Sequence, residues 1–353
     1  MIRDISKYQR QTILRSFGLD KQHKLSKSKV LIIGCGGLGI PVAQYLNAMG
    51  VGVLGLMDQD IIELHNLHRQ VLFDEHHVGQ RKVIIAAEKL RMQNTQTEIQ
   101  PIEKFLSPAN ALEIISGFDV VVDATDNFSA RYLVNDSCIL LKKPFVYGAL
   151  HDFEGQVSVF NYNGGPTYRC LFPVMPQTSE IPNCDENGVL GVLPGIIGTL
   201  QALEVIKVLT GVGEVLSGKL LVFDGLTYQN RLVQFKLNPV NHSIMGLQES
   251  YGSKSCVLIQ GISAIDFDGL KGNEQLIDVR SHQEFEKNHL RGAKNLPLPL
   301  LEDALGEIDF QQPAYLICQS GKRSVVAYEM IKTRHPRAEL YHIEGGMNEM
   351  MTL

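Results

Sequence analysis

Positive charge is in short supply in this chain: 33 Lys and Arg stand against 38 Asp and Glu, a formal net charge of −5. Nucleic-acid phosphates demand a basic face, so a polynucleotide partner is not expected. An export leader is not expected either, because the N-terminal MIRDISKYQRQ has no apolar core of signal-peptide length. The longest apolar segment, residues 190–209, is broken by Gly191, Pro194, Gly195, Gly198 and Glu204, which argues against a membrane span. The six cysteines (Cys35, Cys138, Cys170, Cys184, Cys256 and Cys318) show no framework spacing. That excludes a disulfide scaffold and suits free thiols in a reducing cytoplasm. Internal repeats and low-complexity tracts are absent. What remains is an ordinary globular composition, 44% hydrophobic over 353 residues, enough for two domains with cores of their own.

The first half alternates strand and helix signals. KVLIIG is a continuous apolar run ending in glycine, IPVAQYLNAM after it has helical spacing, and GVLGLMD is a second apolar run ending in an acid. That is a βαβ unit. FDVVVDAT, PFVYGAL and GQVSVF follow as further strands, with VGQRKVIIAAEKLRMQN as a helix between the early and middle ones. Continuous rather than alternating apolar strands predict an α/β fold with a mainly parallel, Rossmann-like sheet covered on both faces. The pattern lapses in NPVNHSIMGLQESYGSKS and then resumes with EQLIDVR, AKNLP and AYLICQS as strands. The expected organisation is a nucleotide-binding domain over 1–240, a linker over 241–254 and a small α/β domain over 255–353.

Two short motifs carry the chemistry. In GCGGLG, Gly34, Gly36, Gly37 and Gly39 let the backbone turn tightly against a ligand, and the helix starting there aims free amides at an anion. A phosphate is the natural occupant. Asp58, at the end of the second strand, suits ribose hydroxyls of ATP and NAD alike, so an NAD-dependent oxidoreductase is the competing reading. Asn66, Arg69, Gln70 and Lys82 follow closely. Their two cations suit a triphosphate, whose transferring groups need charge clamped. Asp126, in ATDN, is a hard oxygen ligand suited to Mg²⁺. A hydride-transfer constellation is not found.

In order along residues 5–240, KYQRQ, GCGGLG, DQD, NLHRQ, VGQRK, ATDN, EGQVSVF, YRCLFP and NCDENGVLG resemble the bacterial ubiquitin-activating-enzyme-like adenylyltransferases. These activate the sulfur-carrier proteins of molybdopterin and thiamine synthesis. The resemblance implies that Asp58 binds ribose, that Asn66, Arg69 and Lys82 bind phosphates, and that Asp126 binds the metal. It also implies a homodimer in which Arg10 reaches the phosphates of the neighbouring subunit. Cys184, in IPNCDENGVLG, falls where this family often carries a cysteine able to attack the acyl-adenylate or to enter a disulfide with a sulfur donor. Cys35, Cys138 and Cys256 read as small buried residues.

The chain departs from the family at its structural zinc. Relatives usually have two CxxC pairs, whereas the first pair here reads TYRC, with Thr167 in place of a ligand and Cys170 alone remaining, and the second is absent near NPVNHSIMG. His76, His77 and His242 have no ligand spacing. One cysteine cannot make a four-ligand site, so no zinc is expected.

From about residue 255 the chain resembles a rhodanese-like domain, through LIDVR, EFEKNHLRGAKNLP and CQSGKR. Six residues from Cys318 to Arg323, followed by a helix, curl their amides around the sulfur, and the helix N-terminus with Lys322 and Arg323 favours a thiolate or persulfide. Asp278, Arg280, Glu284 and His289 are expected to hold the domain together. Joined, the halves imply ATP-dependent adenylation of the C-terminal glycine of a ubiquitin-like carrier ending in Gly-Gly, then sulfur transfer from Cys318, loaded by a donor such as a cysteine desulfurase. Molybdopterin synthesis is the first expectation, with thiamine synthesis or tRNA thiolation as alternatives. A non-catalytic carrier-binding scaffold is a further alternative.

Overall fold

The computed structural model describes residues 5–176, 188–251, 260–270, 274–335 and 337–351. Two compact units divide the chain, Met1–Tyr251 and Gly252–Leu353.

The first unit is built on eight strands: β1 (Lys29–Ile33), β2 (Val53–Met57), β3 (Glu98–Ile102), β4 (Val120–Asp123), β5 (Phe145–His151), β6 (Glu154–Phe160), β7 (Lys219–Asp224) and β8 (Asn230–Gln234). Their order in the sheet is β3-β2-β1-β4-β5-β6-β7-β8. Consecutive side chains of a strand point to opposite faces, and here both faces are dry. Val30 and Ile32 join one core cluster with the helices Gly39–Ala48, Lys82–Gln93 and Val192–Thr210, while Leu31 and Ile33 join the other with the helix Phe128–Leu140. Burying each such aliphatic side chain contributes about 1.5–3 kcal/mol.

Parallel pairing runs from β3 through β5, as the apolar runs predict. From β5 onward the sheet is antiparallel. The reason is chain length: His151 ends β5 and Glu154 begins β6, and two residues make a hairpin but never a crossover. Asp152 takes the left-handed conformation that this turn needs, at φ 50°.

The helix Val192–Thr210 is long and apolar enough to cross a membrane by length and composition, yet half of it is buried inside this unit. Gly198 lies where a Cβ would come 2.5 Å from the Leu38 carbonyl oxygen, so its glycine permits the close approach to the glycine-rich turn. Gln201 Nε2 donates to the Asp123 carbonyl at 2.8 Å, which pins the helix to the end of β4. Part of the stretch expected as a linker is fastened here too: Tyr251 is buried and donates its hydroxyl to Asp136 at 2.8 Å.

The second unit has five strands, β9 (Gly261–Ile262), β10 (Gln275–Asp278), β11 (Lys294–Asn295), β12 (Ala314–Ile317) and β13 (Leu340–Ile343). Their order is β11-β10-β12-β13-β9 and every pairing is parallel. Leu316, Tyr328, Ile331 and Leu340 are buried together between the central strands and the helix Lys322–Arg334. Strand β13 was not among the sequence-predicted strands. It carries only four residues, but it places Gly345 and Gly346 against the sulfur loop.

Candidate nucleotide and sulfur sites

Strands β2, β1 and β4 lie side by side and end together, since Ile33 pairs with Met57 on one side and with Asp123 on the other. The chain leaves β1 toward one face and β4 toward the other, which opens a crevice at their C-terminal ends, the usual ligand site of such sheets. Gly34 forms its floor at φ +97°; a Cβ there would sit 2.6 Å from the Ala124 carbonyl oxygen. Gly39 would meet the Gly34 carbonyl oxygen at 1.8 Å. Both glycines are therefore required by the fold. Gly36 is different, with no atom nearer than Gln70 Nε2 at 3.9 Å, so the space over it is open. Gly37 sits under Arg69 Cγ and Pro194.

Asp58 follows β2 directly. Its Oδ2 accepts the Cys35 amide at 2.7 Å and its Oδ1 accepts the Asp60 amide at 2.8 Å. The carboxylate thus fixes the glycine turn, and its remaining lone pairs can take ribose hydroxyls. Lys82 opens the helix Lys82–Gln93, only 6% exposed, and pairs with Asp60 at 2.9 Å. Arg69 is oriented by Asn66, whose Oδ1 accepts from Nη2 at 2.9 Å, and by the His65 carbonyl at 3.1 Å. Gln70 is buried, with its Oε1 making no hydrogen bond. The structure therefore gathers Gly34, Gly36, Gly37, Gly39, Asp58, Asn66, Arg69, Gln70 and Lys82 around one strand-end crevice.

Asp126 is exposed, three residues past the end of β4 in the loop that packs on Gly34. Asn127 beside it caps the helix Phe128–Leu140 by accepting from the Ala130 amide at 2.9 Å. Among the described residues no cluster of three His, Cys, Asp or Glu could hold a metal. Arg10 lies exposed on the short helix Gln9–Thr12, which is anchored through the buried Tyr8, whose hydroxyl accepts from Asn94 at 3.0 Å. No described contact brings Arg10 to the crevice of its own chain.

Sequence reasoning missed the support behind this site. Asp123 is fully buried, and burial raises its pKa against the opposing pull of Arg131 and the hydrogen bonds from Thr125. Arg131 lies 5.1 Å from the Phe128 ring centroid and 5.5 Å from that of Tyr147, and donates to the Thr125 carbonyl at 3.3 Å. The acid at the end of FDVVVD was the available signal. Cys35 and Cys138 are buried as expected, and burial pushes both thiols up, Cys35 also under the influence of Asp58.

In the second unit β12 delivers Cys318 to the bottom of a loop that leads into the helix Lys322–Arg334, and the residue is completely buried. Its Sγ lies 3.8 Å from Ser324 Oγ, which itself donates to the Gly321 carbonyl at 2.8 Å. Gly321 turns the loop at φ +86°. The loop is closed from the far side: the Cys318 carbonyl accepts from Met347 N at 2.8 Å, and Gln319 Nε2 donates to Asn348 Oδ1 at 2.7 Å. Gly346 is obligatory, since a Cβ would lie 2.2 Å from the Cys318 carbonyl oxygen. Met347, which follows the paired glycines, is buried.

Asp278 and Arg280 form a buried pair at 2.7 Å, and Arg280 Nη1 extends to Gln319 Oε1 at 3.0 Å, so they support the loop as expected. Arg323 is held by Glu284 through two bonds of 2.8 and 2.7 Å. The Arg323 hydrogen bond, helped by donation from Ser281, lowers the Glu284 pKa to about 2 against the cost of burial. The Arg323 charge expected beside the sulfur is thus already paired. His289 stacks on Phe285 at 4.0 Å. Cys184 and Cys256 lie outside the described residues.

Comparison with known proteins gives matching assignments. A ThiF family model matches residues 8–244, and a rhodanese-like domain model matches residues 264–352. The "Adenylyltransferase and sulfurtransferase MOCS3" of Drosophila persimilis is 38% identical over 373 aligned residues, covering 98% of this chain and 83% of that protein. "Adenylyltransferase and sulfurtransferase MOCS3-2" of Zea mays is 38% identical, covering 94% and 76%. Among solved structures, E. coli MccB with MccA-N7isoASN matches with a TM-score of 0.60 at 25% identity, over 67% of this chain and 73% of that one. E. coli MccB with ATP matches with a TM-score of 0.55 at 25% identity, over 64% and 68%.

Proposed function

Because this chain belongs to the ThiF family and carries a rhodanese-like domain behind it, we propose that it activates the C-terminal glycine of a small ubiquitin-like sulfur-carrier protein with ATP and converts it to a thiocarboxylate. The observation that carries this reading is the crevice itself: Asp58 holds the glycine turn through the Cys35 amide, Arg69 lies over Gly37, Lys82 pairs with Asp60 in the loop after Asp58, and the space over Gly36 is open, and to that space we assign the triphosphate. The oxidoreductase reading falls with family membership.

In the first step the carrier carboxylate attacks the α-phosphorus of ATP, the bond to the β-phosphate oxygen breaks, and pyrophosphate leaves an acyl-adenylate. No protein nucleophile is needed, so the chain's task is to align two anions and neutralise them. Asp58 holds the ribose, the amides after Gly34 and the side chains of Arg69 and Lys82 hold the phosphates, and Gln70 presents its Nε2 donor to the space over Gly36. Asp126 suits Mg²⁺ arriving with the triphosphate, an ion commonly bound by one or two carboxylates plus substrate phosphates, and the ion would supply charge neutralisation there. A homodimer would bring Arg10, exposed on its own subunit, to the neighbour's phosphates.

Sulfur transfer follows. The terminal sulfur of a Cys318 persulfide, loaded by a donor such as a cysteine desulfurase, attacks the acyl carbon and AMP leaves. A thiolate then attacks the Cys318 sulfur of the acyl disulfide, forming a new disulfide and releasing the thiocarboxylate. Cys184 or an external thiol would serve. Molybdopterin synthesis is the preferred pathway, thiamine synthesis and tRNA thiolation the alternatives, and free thiols suit a cytoplasmic setting. The test is the intact mass of a diglycine-ending carrier after incubation with enzyme, ATP and a sulfur donor. Replacement of one oxygen by one sulfur supports the reading; an unchanged carrier with Cys318 intact overturns it in favour of a binding scaffold.

A further inference from the structure

The resemblance implies a structural zinc between two CxxC pairs, and the donor set at that place does not fit one. Cys170, in the short helix Tyr168–Leu171, faces the segment that follows β8. Its Sγ lies 3.4 Å from Thr167 N, 3.3 Å from Thr167 Oγ1, 3.3 Å from Asn238 N and 3.3 Å from Asn241 Nδ2. Thr167 and Cys170 are three residues apart, as are Asn238 and Asn241, so the spacing of the two pairs persists with three of the four thiolates replaced. Zinc needs four lone-pair donors. Here the two backbone amides and the Asn241 side-chain amide present hydrogens to the sulfur, an arrangement that stabilises an anion and repels a cation.

Among the described residues of the first unit no histidine completes the set. His242 Nε2 is engaged 3.0 Å from the Gly165 carbonyl oxygen, and His77 pairs with Asp74 far along the chain. A second fastening, made of hydrogen bonds to one carboxylate, joins the residue next to this cysteine. Buried Asp136 accepts Arg169 Nε and Nη2, both at 2.8 Å, and the Tyr251 hydroxyl at 2.8 Å.

We propose that Cys170 is the hub of a metal-free clasp: its sulfur gathers the Thr167, Asn238 and Asn241 groups and fastens residues 238–242 to the helix Tyr168–Leu171 in the place that relatives give to zinc. Burial opposes ionisation of this thiol, but hydrogen bonds from Asn241 and Thr167 and from the Asn238 amide outweigh it, and the pKa falls below the ordinary thiol value. The clasp depends on the sulfur as a hydrogen-bond acceptor rather than on a bound ion. Alkylation, which converts the thiolate to a neutral thioether and displaces iodide from iodoacetamide, removes the acceptor and opens it.

The experiment uses the full wild-type chain. After incubation with excess zinc and desalting, elemental analysis should find far less than one zinc per chain, and a strong chelator should leave the melting temperature unchanged. Carbamidomethylation mapped to Cys170 should speed hydrogen exchange at residues 238–242 by about fivefold or more, the effect of losing several charge-assisted bonds. Asn241→Ala should move the pH midpoint of Cys170 alkylation upward, which a merely buried thiol would not do. One zinc retained per chain with chelator-sensitive melting overturns the proposal, as does unchanged exchange at 238–242 after Cys170 is alkylated.

Discussion

Asp58 Oδ2 accepts the backbone N–H of Cys35 at 2.7 Å while Oδ1 accepts that of Asp60 at 2.8 Å, so one carboxylate ties the glycine turn to the loop that positions Lys82. Asp58→Ala removes both bonds together with the proposed ribose contact. Hydrogen bonds to charged groups contribute about 1.5–3 kcal/mol each, so ATP affinity should fall by about tenfold to a hundredfold. Titration calorimetry checks this, and unchanged affinity would show that the carboxylate is structural only.

Gly34 and Gly36 should behave oppositely although they are two residues apart. At Gly34 an added methyl meets the Ala124 carbonyl at 2.6 Å in a left-handed backbone, so Gly34→Ala should lower the melting temperature of the first unit. At Gly36 the nearest atom is 3.9 Å away. Gly36→Ala should melt like the wild type and bind ATP more weakly, because the methyl occupies ligand space. Thermal melts paired with nucleotide titration separate the two effects.

The places of the proposed nucleotide-site residues were legible in the sequence because they are local to strand ends: Gly34, Asp58 and Asp126 each follow a buried apolar run. Their partners were not legible. That Lys82 bonds Asp60, that Asn66 orients Arg69, and that Asp136 holds Tyr251 from 115 residues away are outcomes of packing that no spacing rule encodes. The antiparallel half of the sheet was obscured because β5 and β6 are buried on both faces and so read as parallel strands. Only the two-residue link between them shows the hairpin. Cys318 followed by glycine and two basic residues identified the sulfur loop, whereas its closure by Gly346 and Asn348 depends on β13, too short to stand out.

That closure yields a prediction. Gly346 has φ +59°, and a Cβ would lie 2.2 Å from the Cys318 carbonyl oxygen. Gly346→Ala should destabilise the second unit by about 1–3 kcal/mol and reduce sulfur transfer from thiosulfate to cyanide. Cys318→Ala should abolish that transfer without the loss of stability. Wild-type melting of Gly346→Ala would refute the contact.

Glu284 gives the second unit a defined acid sensitivity. Its folded pKa, about 2, is depressed from the 4.5 of a free glutamate. The stabilisation is therefore complete above the free value and is lost as pH falls from there toward the folded one. Below about pH 4.5 the second unit's melting temperature should drop more steeply for the wild type than for Glu284→Gln, which lacks the titrating group. Parallel slopes for the two proteins would contradict the pairing with Arg323.

The central claim, that Arg69 and Lys82 set a carrier carboxylate in line with ATP, is tested most directly by exchange of radiolabelled pyrophosphate into ATP. Exchange should appear only when a protein ending in Gly-Gly is supplied, and Lys82→Ala should lower it by about a hundredfold to a thousandfold, the usual cost of removing one transition-state donor. No exchange with any such carrier, or equal exchange by the Lys82→Ala enzyme, would contradict the account.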